Sequence, residues 1–541
     1  MKERLSAGDM SNLFAERGPI HVHVGGTIIV EGAPPDYEEL ISHVEERLDL
    51  VPRFRQRIVK IPLGIENPVW GDDPGFDVRR HVRNIAVPRP GRLDQLRDLI
   101  GRIMSEPLDM ERPLWELYMI DGLRGGRHAY LSKTHHALVD GIAAVDIGML
   151  LLDPKRQGTK MKRQNKRWQP DERRSGELFA QAASFAVQKP FKAAGRAART
   201  TFRMPAKTAG QVIRTAEAFT GLAAGGPSVP KSAFNVRIGR DRRVAWVRTD
   251  LDRLKRARAA AEGSTVNDVV LSVAAGALRH FFEQRKRKPP DYLVALVPVS
   301  IRRPEEKGEL GNRMSTILVK LPVGEPDPRK RLAQLRNETA RLKESDNARA
   351  ASLIIEATGW APPTINRVLS SAMTRPLLFN LVVSNVPGPQ QPLYLLGRRL
   401  REIYPFVPLS PQNHALSIGL VSYDSQVFFG LAGDRDVVPD LDRLATTVRE
   451  ALREQPVPRR RPASRAGGAR ERQPAKRKAP PKTAAKRKPA PKKLVKRKPA
   501  PKKAAKRKPA PKKPVRQRAA PRRGSAGGRP RIRRRSRGSR R

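Results

Sequence analysis

Three observations predict an α/β protein of two similar halves followed by a polycationic tail. Strand-type and helix-type apolar periods alternate through residues 1–153 and again through 232–455. Residues 154–231, between these halves, are basic, rich in Ala and Arg, and broken by Pro190 and Pro205. From 456 onward the chain holds 37 Lys or Arg and one acid, Glu471, so it has nothing to bury in a core.

The 541 residues exceed what one core accommodates. The formal net charge is +55, and most of it sits in the tail: the first 455 residues carry 71 basic and 52 acidic side chains. There is no cysteine, which excludes a thiol nucleophile, disulfides and a cysteine-bound metal. The opening residues lead into no apolar run of the signal-peptide type, and no run approaches the ~20 residues that span a bilayer. A cytoplasmic protein is expected, with any contact to a membrane or lipid droplet peripheral.

In the first half, 21–31 is β-rich and 37–50 has helical spacing, with Leu40, Ile41, Val44 and Leu48 on one face. A strand follows at 56–62 and an amphipathic helix at 93–104, then paired strands at 115–120 and 128–134 joined by the glycine-rich turn 122–126. A helix-like run covers 142–151. Residues 154–231 read as a partly helical crossover linker. Its phenylalanines (Phe179, Phe185, Phe191, Phe202) either pack against the halves or lie on an anionic membrane surface.

In the second half, strands are predicted at 243–247, 292–299, 315–321, 378–383, 415–423 and 426–431. Helices are predicted at 251–261, 265–282, 331–343, 348–357 and 440–453. The tail repeats a Lys-Arg-Lys triplet every ten residues, at 476, 486, 496 and 506, with prolines between the copies. It is expected to be disordered until a polyanion binds, whether nucleic acid or anionic lipid.

The chemistry is concentrated where the strand 129–134 meets the helix-like run. There the chain reads His135-His136-Ala137-Leu138-Val139-Asp140-Gly141. A histidine at a strand end can project its ring into a cleft, and an aspartate four residues on can fix the backbone that holds it. That pattern suits a base taking a proton from a hydroxyl or thiol, and so an acyl transferase rather than a binding module.

The chain resembles the bacterial wax ester synthase/acyl-CoA:diacylglycerol acyltransferase family of the chloramphenicol-acetyltransferase-like superfamily. Beside the HHxxxDG segment the similarity rests on Pro113-Leu114-Trp115, on Pro68-Val69-Trp70 with Asp73-Pro74 and Phe76-Asp77, and on Thr265-Val266-Asn267-Asp268. Pro298-Val299-Ser300 with Arg302, Gly311-Asn312, Ser384-Asn385-Val386-Pro387-Gly388-Pro389 and Ser422-Tyr423 complete it. It runs from about residue 5 to about 452; the segment 7–11 is a looser version of the family's opening, and the tail lies outside it.

The resemblance implies two chloramphenicol-acetyltransferase-like α/β domains with mixed sheets, and a long-chain acyl group passing from acyl-CoA to diacylglycerol. A fatty alcohol acceptor, giving a wax ester, is the nearest alternative. A nucleic-acid or membrane tether acting through the tail is the alternative of a different class. By the same resemblance His136 is the base, Asp140 orients its loop, Gly141 permits the turn, and His135 is structural or lines the pocket. Neutral imidazole, with an ordinary pKa of ~6.5, suits the role near neutrality.

Asn267 either supplies a donor to the oxyanion or, with Asp268, caps the helix the two residues open. Pro113, Leu114 and Trp115 either shape a substrate pocket or belong to the core. Pro387-Gly388-Pro389 reads as a rigid turn, while Arg302 and Arg303 either meet coenzyme A phosphates or form surface ion pairs. No glycine-rich phosphate loop or metal-ligand cluster is evident, so neither metal nor cofactor is expected, acyl-CoA being a substrate.

Overall fold

The computed structural model describes residues 5, 9–10, 12–13, 16, 18, 20–60, 68–138, 150–159, 168–170, 229–300, 314–344, 379–409 and 414–456. All of them belong to one compact unit within residues 1–463. The linker phenylalanines, the 348–357 helix, Arg302, Arg303 and the tail fall outside these residues.

The first half contributes β1 (His23–Glu31), α1 (Tyr37–Leu48), the ribbon β2 (Gln56–Val59) and β3 (Val69–Asp72), β4 (Val82–Ala86), α2 (Leu93–Ser105), β5 (Trp115–Leu123) and β6 (Arg127–His135). The second contributes β7 (Arg242–Asp250), α3 (Leu251–Arg258), α4 (Val266–Gln284), β8 (Leu293–Ser300), β9 (Met314–Leu321) and α5 (Pro328–Glu344). It continues with β10 (Leu381–Pro387), β11 (Tyr394–Leu395), β12 (Arg398–Phe406), β13 (Leu416–Tyr423), β14 (Gln426–Asp434) and α6 (Leu441–Glu454).

Two six-stranded mixed sheets result, ordered β11-β12-β1-β6-β5-β4 and β7-β14-β13-β10-β8-β9. β4 runs parallel to β5, and β10 parallel to both β8 and β13; the remaining pairs are antiparallel. A division at 153 and 232 describes the order of the chain but not all of its hydrogen bonding. β12, from the second half, pairs with β1 of the first, Thr27 opposite Tyr404. Its sequence hid this, because Arg398, Arg399, Arg401 and Glu402 crowd the strand and Pro405 interrupts it.

Local signals explain the elements that frame the site. The Asp36 side chain accepts from the Glu38 amide at the start of α1, whose Leu40, Ile41, Val44 and Leu48 are buried. α4 is apolar almost all round, and it packs against α3, α5 and α6. Where β14 passes β12, a Cβ on Gly430 would stand 1.8 Å from the Pro405 carbonyl oxygen, so only glycine fits. Gly101 of α2 meets the Arg242 carbonyl in the same way, at 2.7 Å, and the Arg242 amide donates to Ser105 Oγ at 2.8 Å. No helix among the described residues is long and apolar enough to cross a membrane.

Candidate active site

The end of β6 carries the two histidines into opposite surroundings. Side chains alternate across a strand, and the register places His135 opposite His23 and Lys133 opposite Gly25. His21, His23, Lys133 and His135 therefore share the face covered by α2, where Met104 approaches Gly25 and Lys133 Nζ donates to the Glu106 carbonyl at 2.8 Å. Ser132 and Thr134 share the other face with Trp115 and Leu117, beneath α1.

His135 is wholly buried and fully engaged. Its Nδ1 accepts from the Ala137 amide at 3.0 Å, so the proton is on Nε2, which donates to Glu16 Oε2 at 2.5 Å. Its own amide donates to the Leu114 carbonyl at 3.0 Å. Glu16 Oε1 also accepts from His21 Nδ1, at 3.0 Å. Burial works to raise the Glu16 pKa, but hydrogen bonds from His135 and His21 outweigh it and bring it from 4.5 to about 2. Burial, with the Lys133 charge, holds His23 well below the ordinary histidine range.

His136 is half-buried. Its amide donates to the Val22 carbonyl at 2.9 Å, extending the β1–β6 ladder by one residue. Its Nδ1 lies 3.1 Å from the side-chain amide nitrogen of Asn12. An amide donating to Nδ1 puts the imidazole proton on Nε2. The same amide turned by half a revolution accepts from Nδ1–H and puts the lone pair on Nε2. The orientation of the Asn12 amide and the tautomer of the candidate base are thus coupled.

Asp140 and Gly141 lie outside the described residues. Pro113, Leu114 and Trp115 are all buried, and Leu114 holds the backbone of His135. Trp115 is fixed on three sides: Nε1 donates to the Phe54 carbonyl at 2.8 Å, Phe54 packs 5.4 Å from its ring, and His81 stacks on it at 4.7 Å.

The two readings of Asn267 and Asp268 separate. The cap of α4 is Thr265, whose hydroxyl accepts from the Asp268 amide, while Asp268 Oδ2 accepts from the Thr265 amide at 2.7 Å. Asp268 Oδ1 also accepts from Thr339 Oγ1 at 2.7 Å. Asn267 takes no part in the cap, contrary to the capping alternative. It accepts from Asn385 Nδ2 at 3.3 Å, which joins two sequence blocks 118 residues apart. Gly388 is held close to β13, its amide donating to Ser422 Oγ at 3.3 Å.

Sequence reading missed Asn12, Glu16, His21 and His23. Asn12 and Glu16 reach their partners across 124 and 119 residues, a separation that no local pattern reports. The His-x-His spacing of 21 and 23 was a usable signal, since residues two apart on a strand share a face. Glu16, His21 and His23 each bring one potential metal-ligand atom within 4.8 Å of the others, although no metal cluster was expected. Both Glu16 oxygens already accept hydrogen bonds from histidines, and the Lys133 ammonium acts on the group, so a hydrogen-bonded network accounts for most of it.

Residues 5–270 match the model of the wax ester synthase/diacylglycerol acyltransferase catalytic domain, and 310–455 match that of the WS/DGAT C-terminal domain. The chain belongs to this family. A relative from Mycobacterium tuberculosis, named probable diacylglycerol O-acyltransferase tgs2, is 34% identical over 455 residues, covering 82% of this chain and 97% of its own. A second from that organism, named probable diacylglycerol O-acyltransferase tgs1, is 33% identical over 491 residues, covering 86% and 98%. The solved wax ester synthase/diacylglycerol acyltransferase from Marinobacter aquaeolei VT8 superposes with a TM-score of 0.59 at 26% identity, over 84% of this chain and 98% of that one. The first condensation domain of the calcium-dependent antibiotic synthetase shares the fold, with a TM-score of 0.52 at 16% identity over 84% and 96% of the two chains. As a member of the family the protein is an acyltransferase, which agrees with the reading of the HHxxxDG segment.

Proposed function

We propose that the protein transfers a long-chain acyl group from acyl-CoA to diacylglycerol, forming triacylglycerol and coenzyme A, with His136 as the general base. The observation that carries this reading is a half-buried His136 whose Nδ1 is held by Asn12 at the end of β6, in a chain about one-third identical to two proteins named for that reaction. With the Asn12 amide turned so that its oxygen accepts from Nδ1–H, Nε2 carries the lone pair and takes the proton of the acceptor hydroxyl as its oxygen attacks the thioester carbonyl. The tetrahedral oxyanion collapses, the C–S bond breaks, and the imidazolium returns the proton to the leaving thiolate. The chemistry so written consumes acyl-CoA as substrate and calls for no cofactor.

Asn267, bonded to Asn385 at the start of α4, is the proposed donor-side residue for the oxyanion. A fatty alcohol acceptor satisfies the same steps, and the Marinobacter relative carries both activities in its name. Purified protein offered labelled acyl-CoA with diacylglycerol, fatty alcohol and monoacylglycerol in parallel decides between them. Triacylglycerol as the main product is expected; a wax ester in its place transfers the proposal to the alcohol, and no labelled ester at all defeats it.

The tail is proposed as a tether to anionic surfaces, supported by its 37 basic residues against one acid. Ending the chain after Gln455 should leave turnover largely intact and remove salt-sensitive binding to anionic vesicles. Retention on DNA alone would give the tail a nucleic-acid role instead.

A further inference from the structure

One histidine on the α2 side of the first sheet has no hydrogen-bond partner among the described residues. His23, the first residue of β1, is 1% exposed, and both of its ring nitrogens are buried without a bond. Nε2 of the buried His21 is in the same position. Enclosing an imidazole with neither nitrogen engaged costs the fold the hydration of two polar atoms, and such a group is commonly matched to an ion or a water.

These nitrogens face a carboxylate. Glu16, His21 and His23 each place one potential ligand atom within 4.8 Å of the other two. The His-x-His spacing where β1 begins brings two imidazoles together, with ring centres 5.2 Å apart and planes 5° from parallel. Glu16 Oε1 and His21 Nδ1 are 3.0 Å apart. Two donors at ~2.0–2.1 Å from one tetrahedral ion stand about 3.3 Å apart, so this pair is already near that spacing. No hydrogen bond fixes the His23 ring where it stands, and a rotation brings one of its nitrogens into the set.

The surroundings suit a cation that prefers nitrogen. Glu16 Oε2 accepts from His135 Nε2 at 2.5 Å, which orients the carboxylate from behind, as partners of ligating groups commonly do. The Lys133 ammonium opposes a second cation on this face. It is already engaged, donating to the Glu106 carbonyl at 2.8 Å and standing 3.5 Å from Glu116 Oε2. Two imidazoles and one carboxylate form a donor set of the zinc kind, whereas calcium and magnesium call for oxygen ligands in greater number.

We propose that Glu16, His21 and His23 bind one zinc-class divalent ion. Each imidazole coordinates through one nitrogen and keeps its proton on the other, the carboxylate supplies one oxygen, and water takes the position left open. The ion fastens Glu16 to the start of β1, and with it the segment that brings Asn12 to His136.

Untagged full-length protein, stripped with a chelator and titrated with zinc chloride in a calorimeter, tests the site without any acyl transfer. One equivalent should bind and raise the melting temperature. His23→Gln and Glu16→Gln should each weaken binding by about a hundredfold or more. Absence of uptake by the wild type overturns the proposal, and so does unchanged affinity in either variant. Should both variants melt well below wild type, X-ray absorption at the zinc edge of the wild-type protein decides. A shell with two imidazoles and the remainder oxygen supports the site, and any other imidazole count rejects it.

Discussion

His135 and His136 are neighbours in the chain but differ in burial. His135 is sealed in a network with Glu16, His21 and the Ala137 amide, while His136 stands half-buried with its Nδ1 held by Asn12. The difference begins where the strand ends: His135 is the last residue of β6, and His136 is the first residue beyond it. One histidine holds a backbone from inside the fold, and the other keeps part of its surface open to solvent. Two adjacent histidines in sequence thus come to unlike burial, and the proposed function assigns the chemistry to the more exposed one.

Three substitutions test that contrast, beginning with the largest expected effect. His136→Ala should lower acyl transfer by ~10²–10⁴ with a normal melting temperature, measured by labelled ester formation and calorimetry. Turnover near wild type would move the chemistry elsewhere. Asn12→Ala should lower kcat on the order of tenfold with little change in KM, and should shift the pH–rate profile, because the tautomer of His136 is no longer set. A merely structural asparagine would move the melting temperature and leave the profile alone.

Glu16→Gln should act chiefly on stability, by about 1–3 kcal/mol, since it weakens the anchor of a buried histidine. The Glu16 pKa is depressed in the fold, so the carboxylate's contribution is fully present above about 4.5 and disappears as the pH falls toward about 2. The stability difference between wild type and Glu16→Gln should therefore narrow across that acid range, as followed by urea melts. A difference that does not change with pH would mean the charge of Glu16 contributes nothing.

Much of the architecture was legible from local pattern. The apolar spacing of α1, the apolar run of α4 and the glycine turn between β5 and β6 are short-range features, and each element formed where its period predicts. β4 and β12 were missed because charged residues and Pro405 obscure their alternation, and in β12 the buried Glu402 is answered by Tyr404 and Arg127 rather than by apolar neighbours. Of the candidate site, the histidine pair and Pro113-Leu114-Trp115 were visible as motifs. Their partners were not, because Asn12 and Glu16 are ordinary polar residues until folding brings them more than a hundred positions along the chain.

Sequence by itself determined the two α/β halves, the basic extension and the family, because period, composition and motif order are local properties that need no partner to be read. Tertiary structure alone decided that β12 crosses to the first sheet, that Asn267 meets Asn385, and that His135 is buried against Glu16 while His136 stays half-exposed. Each of those outcomes depends on which side chains become buried against one another. Burial obliges every enclosed polar group to find a partner, and only the closed fold says which partner lies within reach.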